Sequence, residues 1–434
     1  MRGRDAADPD DSFPPSLHVK IGIQTWGSEG DVRPLLALAA GLRAAGHEVT
    51  LVVTHVTNRD YAALGASFGV PVRSAGRLAP DLVKHAAEFL VRRTDILRQV
   101  DLILRDLFEP VEQDMLREAK RLCRENDLVI GHFLVHPLRT AAERVGKPCV
   151  SVFLAQLIPS ADIPPPGVHH LGRMMNTLLW RVGGFAMNRM FLPRINSMRR
   201  GEGLLPFKSV MQDAFLSPSL NLVASSPSLF PAPPDWDASI RQCGSFHLPV
   251  QAGQQRLPET LERFVAAGPP PVHMTIGSMS VADPSLDATT LLFTEAARQA
   301  GCRAIIQTEH IPSIAPDNIM FIRDVEHDLL FPRCAAVVHH GGAGTSHAAS
   351  RAGRPSIVIE HVTDQAYWGG VLHRAGIAPQ MLHRRTATAG KLARAITAVL
   401  GSTAMRERAR TIGERMRQEN GVARAIELIE QHWS

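Results

Sequence analysis

The chain has little of what would commit it to a disulfide framework, a membrane or a nucleic acid. Its five cysteines (Cys123, Cys149, Cys243, Cys302, Cys334) lie far apart with no C-x-x-C spacing and an odd total. That pattern argues against a disulfide framework and a structural zinc site, and for buried thiols in a reducing compartment. No apolar run is long enough to span a bilayer, and residues 1–16, MRGRDAADPDDSFPPS, lack the apolar core of a signal peptide, so a cytoplasmic protein is expected. The net charge of +5 over 434 residues falls far short of a nucleic-acid-binding stripe; anionic small substrates fit that balance better. Neither a G-x-G-x-x-G followed by a ribose-binding carboxylate nor a Walker lysine is present, which weakens dehydrogenase and NTPase readings.

What is there reads as two globular domains. The length exceeds what one hydrophobic core usually organises, and 45% of the residues are hydrophobic against 21% charged. Residues 1–16 are too polar to pack and are expected to be disordered. Order begins at HVKIGIQTWG, whose apolar run Val19, Ile21, Ile23 ends in the turn WGSEGDVRP. LLALAAGLRAAGHEVTLVV then supplies a helix, a stop at Gly46 and a strand over 49–53, a βαβ unit with a right-handed crossover. Further strands are predicted at 127–132, 148–154 and 220–226, and HLPVQAGQQRLPET, 247–260, reads as a linker. Beyond it the alternation restarts, with PVHMTIGSMS as strand and glycine turn, strands at 302–308, 319–324, 334–340 and 355–360, and helices at 286–300 and 344–353. The expected fold class is α/β: two doubly wound Rossmann-like domains, 17–246 and 261–415, facing across a cleft where ligands meet the carboxyl ends of the strands, with a C-terminal helix in 416–434.

Chemistry concentrates in VVHHGGAGTSHAASRAGRPSIVIEHVTDQ, 337–365. Gly341, Gly342 and Gly344 remove side chains where a buried strand turns into a helix, so a ligand can reach backbone N–H groups whose dipole favours an anion. A phosphate fits there. A tight turn alone would also use glycines, but it would not need His340, Thr345, Asp364 and Gln365, which add hydrogen-bonding groups at the same sheet edge.

The stretch from Val325 to Gln365 resembles the nucleotide-sugar signature of family-1 glycosyltransferases of the GT-B fold, in particular the branch of the sterol glucosyltransferases and the glycopeptide and macrolide antibiotic glycosyltransferases. HHGGAGT matches residue for residue, the 24-residue step from His340 to Asp364 agrees with the family spacing, and GSEGDVRPLLALAAGLRAAGHEVTLV is similar to the family's first βα unit. The resemblance implies that His340 and the amides of Gly342, Ala343, Gly344 and Thr345 hold the donor diphosphate, with Gly277 and Ser278 closing on it. It implies that Asp364 and Gln365 bind hydroxyls of the transferred sugar, and that Val325, in a segment resembling N-V-P-H-D-W-L-F-P, bonds the base through its backbone. Three positions depart from relatives: Asp324 stands where plant enzymes stack a tryptophan on uracil, Glu326 replaces the usual proline, and Glu360 stands where proline usually precedes HVTDQ. Glu360 is accordingly a sugar-specificity candidate, unless it merely faces solvent. In relatives the last helix crosses back onto the N-terminal domain, where Trp433 would anchor it.

Transfer from a nucleotide sugar needs a general base for the acceptor hydroxyl. Relatives with GSRGD use the aspartate that is Asp31 here; the competing role for Asp31 is an N-cap of the helix beginning near Val32 and Pro34. Glu29 is a weaker competitor in the same loop. Ser28, His132 and His136 are candidate acceptor contacts. Residues 163–201 hold six arginines, no acid and many Met, Leu and Phe, which suits a wall for an apolar acceptor, peripheral membrane contact or ordinary packing. The expected activity is inverting, metal-independent transfer of a hexose or deoxyhexose from a UDP- or dTDP-sugar co-substrate to a hydroxyl of an apolar small molecule, with no further cofactor. Alternatives are a nucleotide-sugar epimerase on the same fold and a non-catalytic nucleotide-sugar-binding partner of another transferase.

Overall fold

The computed structural model describes residues 18–92, 96–166, 168, 171–250, 256–277, 286–361 and 363–433. The polar segment 1–16 and part of the 247–260 stretch lie outside them. The first unit is a parallel sheet of β1 (Lys20–Gly27), β2 (Glu48–His55), β3 (Val72–Ser74), β4 (Leu128–His132), β5 (Cys149–Phe153), β6 (Leu220–Val223) and β7 (Ile240–Gln242), in the order β3-β2-β1-β4-β5-β6-β7. The second holds β8 (Val272–Met274), β9 (Ala304–Gln307), β10 (Ile319–Ile322), β11 (Ala336–His339), β12 (Ser356–Glu360) and β13 (Leu382–His383), in the order β10-β9-β8-β11-β12-β13. The doubly wound α/β architecture expected from the sequence is present twice.

Both sheets are covered by helices on both faces, which is why central strands such as IGIQTW and AVV are buried at every residue rather than at alternate ones. In each sheet the chain winds outward one way and then crosses to the other side of its first strand, so strand order reverses between β1 and β4, and again between β8 and β11. Such a reversal splays the connecting loops apart and opens a crevice at the carboxyl ends of the two strands. Asp31 and His132 lie at the first of these crevices, and Gly277, His340 and Gly342 at the second.

The short edge strands β3, β7 and β13 were not among the predicted ones, because two or three residues carry no measurable periodicity. The first helix, Glu29–Ala44, begins earlier than Val32, with Ser28 as its N-cap and Pro34 inside it. The C-terminal helical pattern divides into Thr403–Gln418 and Gly421–Trp433. The second of these lies on Glu29–Ala44: a Cβ on Gly41 would stand 2.2 Å from Val422, so only glycine permits that approach. Ala425, Leu428 and Ile429 join the core of the first unit, and Trp433 packs at its edge.

The two units meet through polar and apolar contacts. Ser226 Oγ donates to Glu419 Oε1 at 2.9 Å, His247 pairs with Asp328 at 2.8 Å, and Arg33 approaches Glu326 at 3.5 Å. Leu229 and Ala155 of the first unit share a cluster with Trp368, Val371 and Leu372 of the second. Among the described residues no helix is long and apolar enough to cross a membrane.

Candidate functional site

The first crevice is built from the end of β1 and the end of β4. Gly27 closes β1 at φ +139°, and a Cβ there would lie 2.2 Å from Asp31 Oδ2; the missing side chain lets the carboxylate fold back over the turn. Asp31 is the third residue of the helix, not its cap. Its Oδ2 accepts from the Ser28 amide at 2.8 Å and from Ser28 Oγ at 3.1 Å, the reach-back half of a capping box. Capping thus occupies one carboxylate oxygen. The other, Oδ1, lies 3.8 Å from His132 Nε2, the last residue of β4. His132 is almost wholly buried, and burial holds its pKa below the usual histidine value despite the opposing pull of Asp31. A neutral imidazole therefore stands beside an Asp31 side chain that is 32% exposed, open enough to meet a second reactant.

The other first-unit candidates have partners of their own. Glu29 is held by Arg59 at 2.7 Å and lies 3.8 Å from His55 Nε2, so it is less available as a base than Asp31. His136 is buried against Glu112 at 3.1 Å and stacked on Phe108, whose ring meets Trp26 edge-on at 5.1 Å. It belongs to the wall beneath β1, with Glu112 rather than Asp31 as its ion-pair partner. A widened, π-type turn over Ile103–Phe108 delivers Phe108 to that wall. The aromatic series continues from His132 through Phe133 to Phe215 and Phe191, with successive centroids 4.7, 5.2 and 5.6 Å apart.

At the second crevice, β8 leads into Thr275–Gly277 and β11 into His340–Gly342. The His340 ring lies against both glycines: a Cβ on Gly277 would stand 2.4 Å from its Cε1, and one on Gly342 2.3 Å from its Nε2. Burial, then the neighbouring His361 and His327, holds the ring down to about 3, so it is neutral at physiological pH. Its Nδ1 is buried and finds no hydrogen-bond partner among the described residues. Buried polar atoms are rarely left so, and a ligand oxygen would satisfy this one. Gly277's own amide donates to Thr275 Oγ1 at 2.8 Å, which leaves Gly277 contributing its bare Cα. Thr275 was not singled out from the sequence; a threonine at a strand end carries no signal of that role.

Gly342 caps the helix Ala343–Arg351, so the amides of Ala343, Gly344 and Thr345 fall in its first turn, where helical N–H groups lack intrahelical partners. Gly344 is exposed with no atom within 4 Å of its would-be Cβ, whereas Thr345 is buried. The turn is thus open on the Gly344 side. Gly341, at φ +90°, brings this loop against the next: a Cβ there would meet the Gln365 carbonyl at 2.8 Å. Gln365 is buried, and its Oε1 accepts from the His361 amide at 2.7 Å. Asp364 sits in the first turn of Thr363–Arg374, with its side chain outside the described residues, as is Ser278.

Two candidates are tied to neighbours the sequence did not suggest. Glu360, at the end of β12, hydrogen-bonds His383 Nδ1 on β13, with 22% of its side chain exposed. It does not simply face solvent. Val325's amide donates to Asp324 Oδ1 at 2.8 Å, and Glu326 beside it reaches Arg33 of the first unit. Among the described residues no group of three or more His, Cys, Asp or Glu is arranged to hold a metal ion.

Known proteins resemble this chain along nearly all of its length. A family profile described as "Erythromycin biosynthesis protein CIII-like, C-terminal domain" matches residues 302–427. O-mycaminosyltylonolide 6-deoxyallosyltransferase of Streptomyces fradiae is 30% identical over 427 residues, 95% of this chain and 97% of the relative. A sterol 3-beta-glucosyltransferase of Arabidopsis thaliana is 26% identical, covering 97% of this chain and 69% of the relative. The crystal structure of the glycotransferase of kitacinnamycin superposes with a TM-score of 0.71 at 20% identity, over 96% of this chain and 99% of that one.

Proposed function

The chain belongs to the GT-B glycosyltransferases of the macrolide, glycopeptide and sterol branch, and on that premise we propose that it moves a hexose or deoxyhexose from a UDP- or dTDP-sugar to a hydroxyl of an apolar small molecule, with inversion and with Asp31 as general base. The observation that carries the proposal is the pairing of two unlike crevices. One holds a part-exposed carboxylate with one oxygen left over from capping, beside a neutral His132. The other holds a helix N-terminus and a neutral imidazole with a nitrogen that has no partner among the described residues.

In this reading the acceptor hydroxyl gives its proton to Asp31 Oδ1 as its oxygen attacks the anomeric carbon. The bond from that carbon to the diphosphate breaks, and the departing oxygens collect charge. His340 and the amides of Gly342, Ala343, Gly344 and Thr345 stabilise that charge through hydrogen bonds and the helix dipole, so no divalent cation is required. A single displacement forms no covalent enzyme intermediate, which is why one base suffices. Asp364 and Gln365 orient the sugar, Glu360 selects among sugars through the carboxylate that His383 positions, and the Val325 backbone meets the base. The apolar acceptor meets the first crevice beside Asp31 and the part-exposed Phe133, whose ring packs on His132.

The test is Asp31→Asn. The amide keeps a cap-accepting oxygen but cannot take the proton, so turnover should fall by about 10²–10⁴-fold, while UDP or dTDP still raises the melting temperature as in the wild type. Turnover within a few-fold of wild type would remove Asp31 from the reaction. Loss of the nucleotide shift as well would mean that the substitution had disturbed the fold.

A further inference from the structure

The 29-residue helix Arg173–Gly201 is anchored in the core at one end; at the other, Asn176 and Trp180 hold it to the Ala161 and Ile163 carbonyls and leave one face bare. Its C-terminal half packs through Phe191, Ile195 and Met198 into the core of the first unit. Its N-terminal half does not. Met174 is 90% exposed and Phe185 71%, and Leu178 and Val182 are more than half exposed between them, with Leu171 just before the helix. Spacings of four, four and three residues set Met174, Leu178, Val182 and Phe185 along one face. Scattered surface apolar residues are ordinary; a continuous stripe of this length on one helix is not.

The charge around the stripe has one sign. From 163 to 201 there are six arginines and no acid. Arg173, Arg194 and Arg199 are matched by Asp162, by Glu109 with Asp101, and by Glu143. Arg181, Arg189 and Arg200 are exposed and make no ion pair among the described residues. Past Phe185 the same face opens into a cleft with Arg189 and Arg200 among its lining residues.

We propose that this face docks on an anionic phospholipid surface, with Leu171, Met174, Leu178, Val182 and Phe185 entering the headgroup and acyl boundary and Arg181, Arg189 and Arg200 meeting lipid phosphates. Apolar side chains flanked by unmatched arginines are what an interfacial helix presents to such a surface. A second copy of the chain is the poorer occupant, because a two-fold interface sets each patch against its like and would face these arginines with arginines. In the anchored half Phe191 meets Phe215, part of the buried aromatic series that runs to His132 and Asp31. Docking itself does not depend on which acceptor the enzyme uses.

The full chain would be floated with vesicles of phosphatidylcholine alone and of phosphatidylcholine with phosphatidylglycerol, at low and high salt. Flotation with the anionic vesicles only, released by salt, is the expected result. Arg181→Ala with Arg189→Ala should weaken partitioning roughly 30-fold, from about a fivefold loss per basic residue near the surface. Met174→Asp with Phe185→Asp should abolish it. Both double variants lie outside the proposed catalytic machinery and should keep the wild-type melting temperature and nucleotide shift, which separates lost docking from lost folding. The proposal is overturned if the protein fails to float with anionic vesicles at low salt, if neutral vesicles serve equally well, or if the acidic double variant floats like the wild type. A dimer seen by sedimentation velocity that the acidic variant dissolves would also overturn it, since the stripe would then belong to a protein interface.

Discussion

Adding one methyl group at Gly342 tests the site where its geometry is tightest. The backbone there is already extended, so Gly342→Ala meets no conformational penalty; its whole effect is steric. The new Cβ would stand 2.3 Å from His340 Nε2 and 3.0 Å from Cε1, against the roughly 3.5–4.0 Å at which heavy atoms rest. The ring must move by about an ångström, yet Gly277 closes on the same edge. Overpacking of this kind costs about 1–3 kcal/mol, and at about 2–4 °C per kcal/mol for a domain of this size the melting temperature should drop by roughly 2–12 °C. Loss of one imidazole hydrogen bond to the ligand, about 1 kcal/mol, weakens nucleotide binding about fivefold, whereas an ångström of misplacement costs up to about 10²-fold in rate. Turnover should therefore suffer more than affinity. Differential scanning fluorimetry with and without UDP and dTDP, run beside a turnover assay, reads all three quantities. The decisive control is the same substitution on His340→Ala, where no ring remains to strike and the extra methyl should cost almost nothing. An equal drop in both backgrounds, or none in either, would refute the wedge of His340 between two glycines.

Acid should unfold the protein through its buried histidines. His273 and His340 are held down to about 3 and His327 and His347 to about 4, in each case chiefly by burial, whereas in the unfolded chain they take up protons near 6.5. The unfolded state therefore binds more protons between these limits. Stability should be level above about pH 7 and fall as pH drops from about 6.5 toward 4, by up to about 1.4 kcal/mol per pH unit for each histidine; a urea midpoint unchanged between pH 7 and pH 5 would contradict this. Glu360→Ala, which removes the partner of His383, should change relative kcat/KM among donor sugars by about tenfold or more while altering stability by less than about 1 kcal/mol. Proportional losses with every donor would show that the carboxylate does not select.

The sequence by itself determined the doubling of the α/β pattern, the glycine turn at 341–344 and the Asp31 loop, because each is local. Strand and helix periodicities and glycine spacing are set by neighbours a few residues apart, and one copy of the chain displays them in full. It did not reveal the edge strands β3, β7 and β13, which are too short to have a period. Tertiary structure alone decided which side chains act on one another. Asp31 and His132 meet because β1 and β4 are neighbours at the first strand-order reversal, and His340 is pinned between Gly277 and Gly342 because β8 and β11 are neighbours at the second. The same adjacency gave Glu360 its histidine across β12 and β13, while packing of the helix Glu109–Glu125 turned His136 toward Glu112. A parallel crossover brings together residues that lie far apart in the chain, so no spacing within the sequence could have announced these pairs. Burial followed from the same contacts, and burial is what makes His132 and His340 neutral.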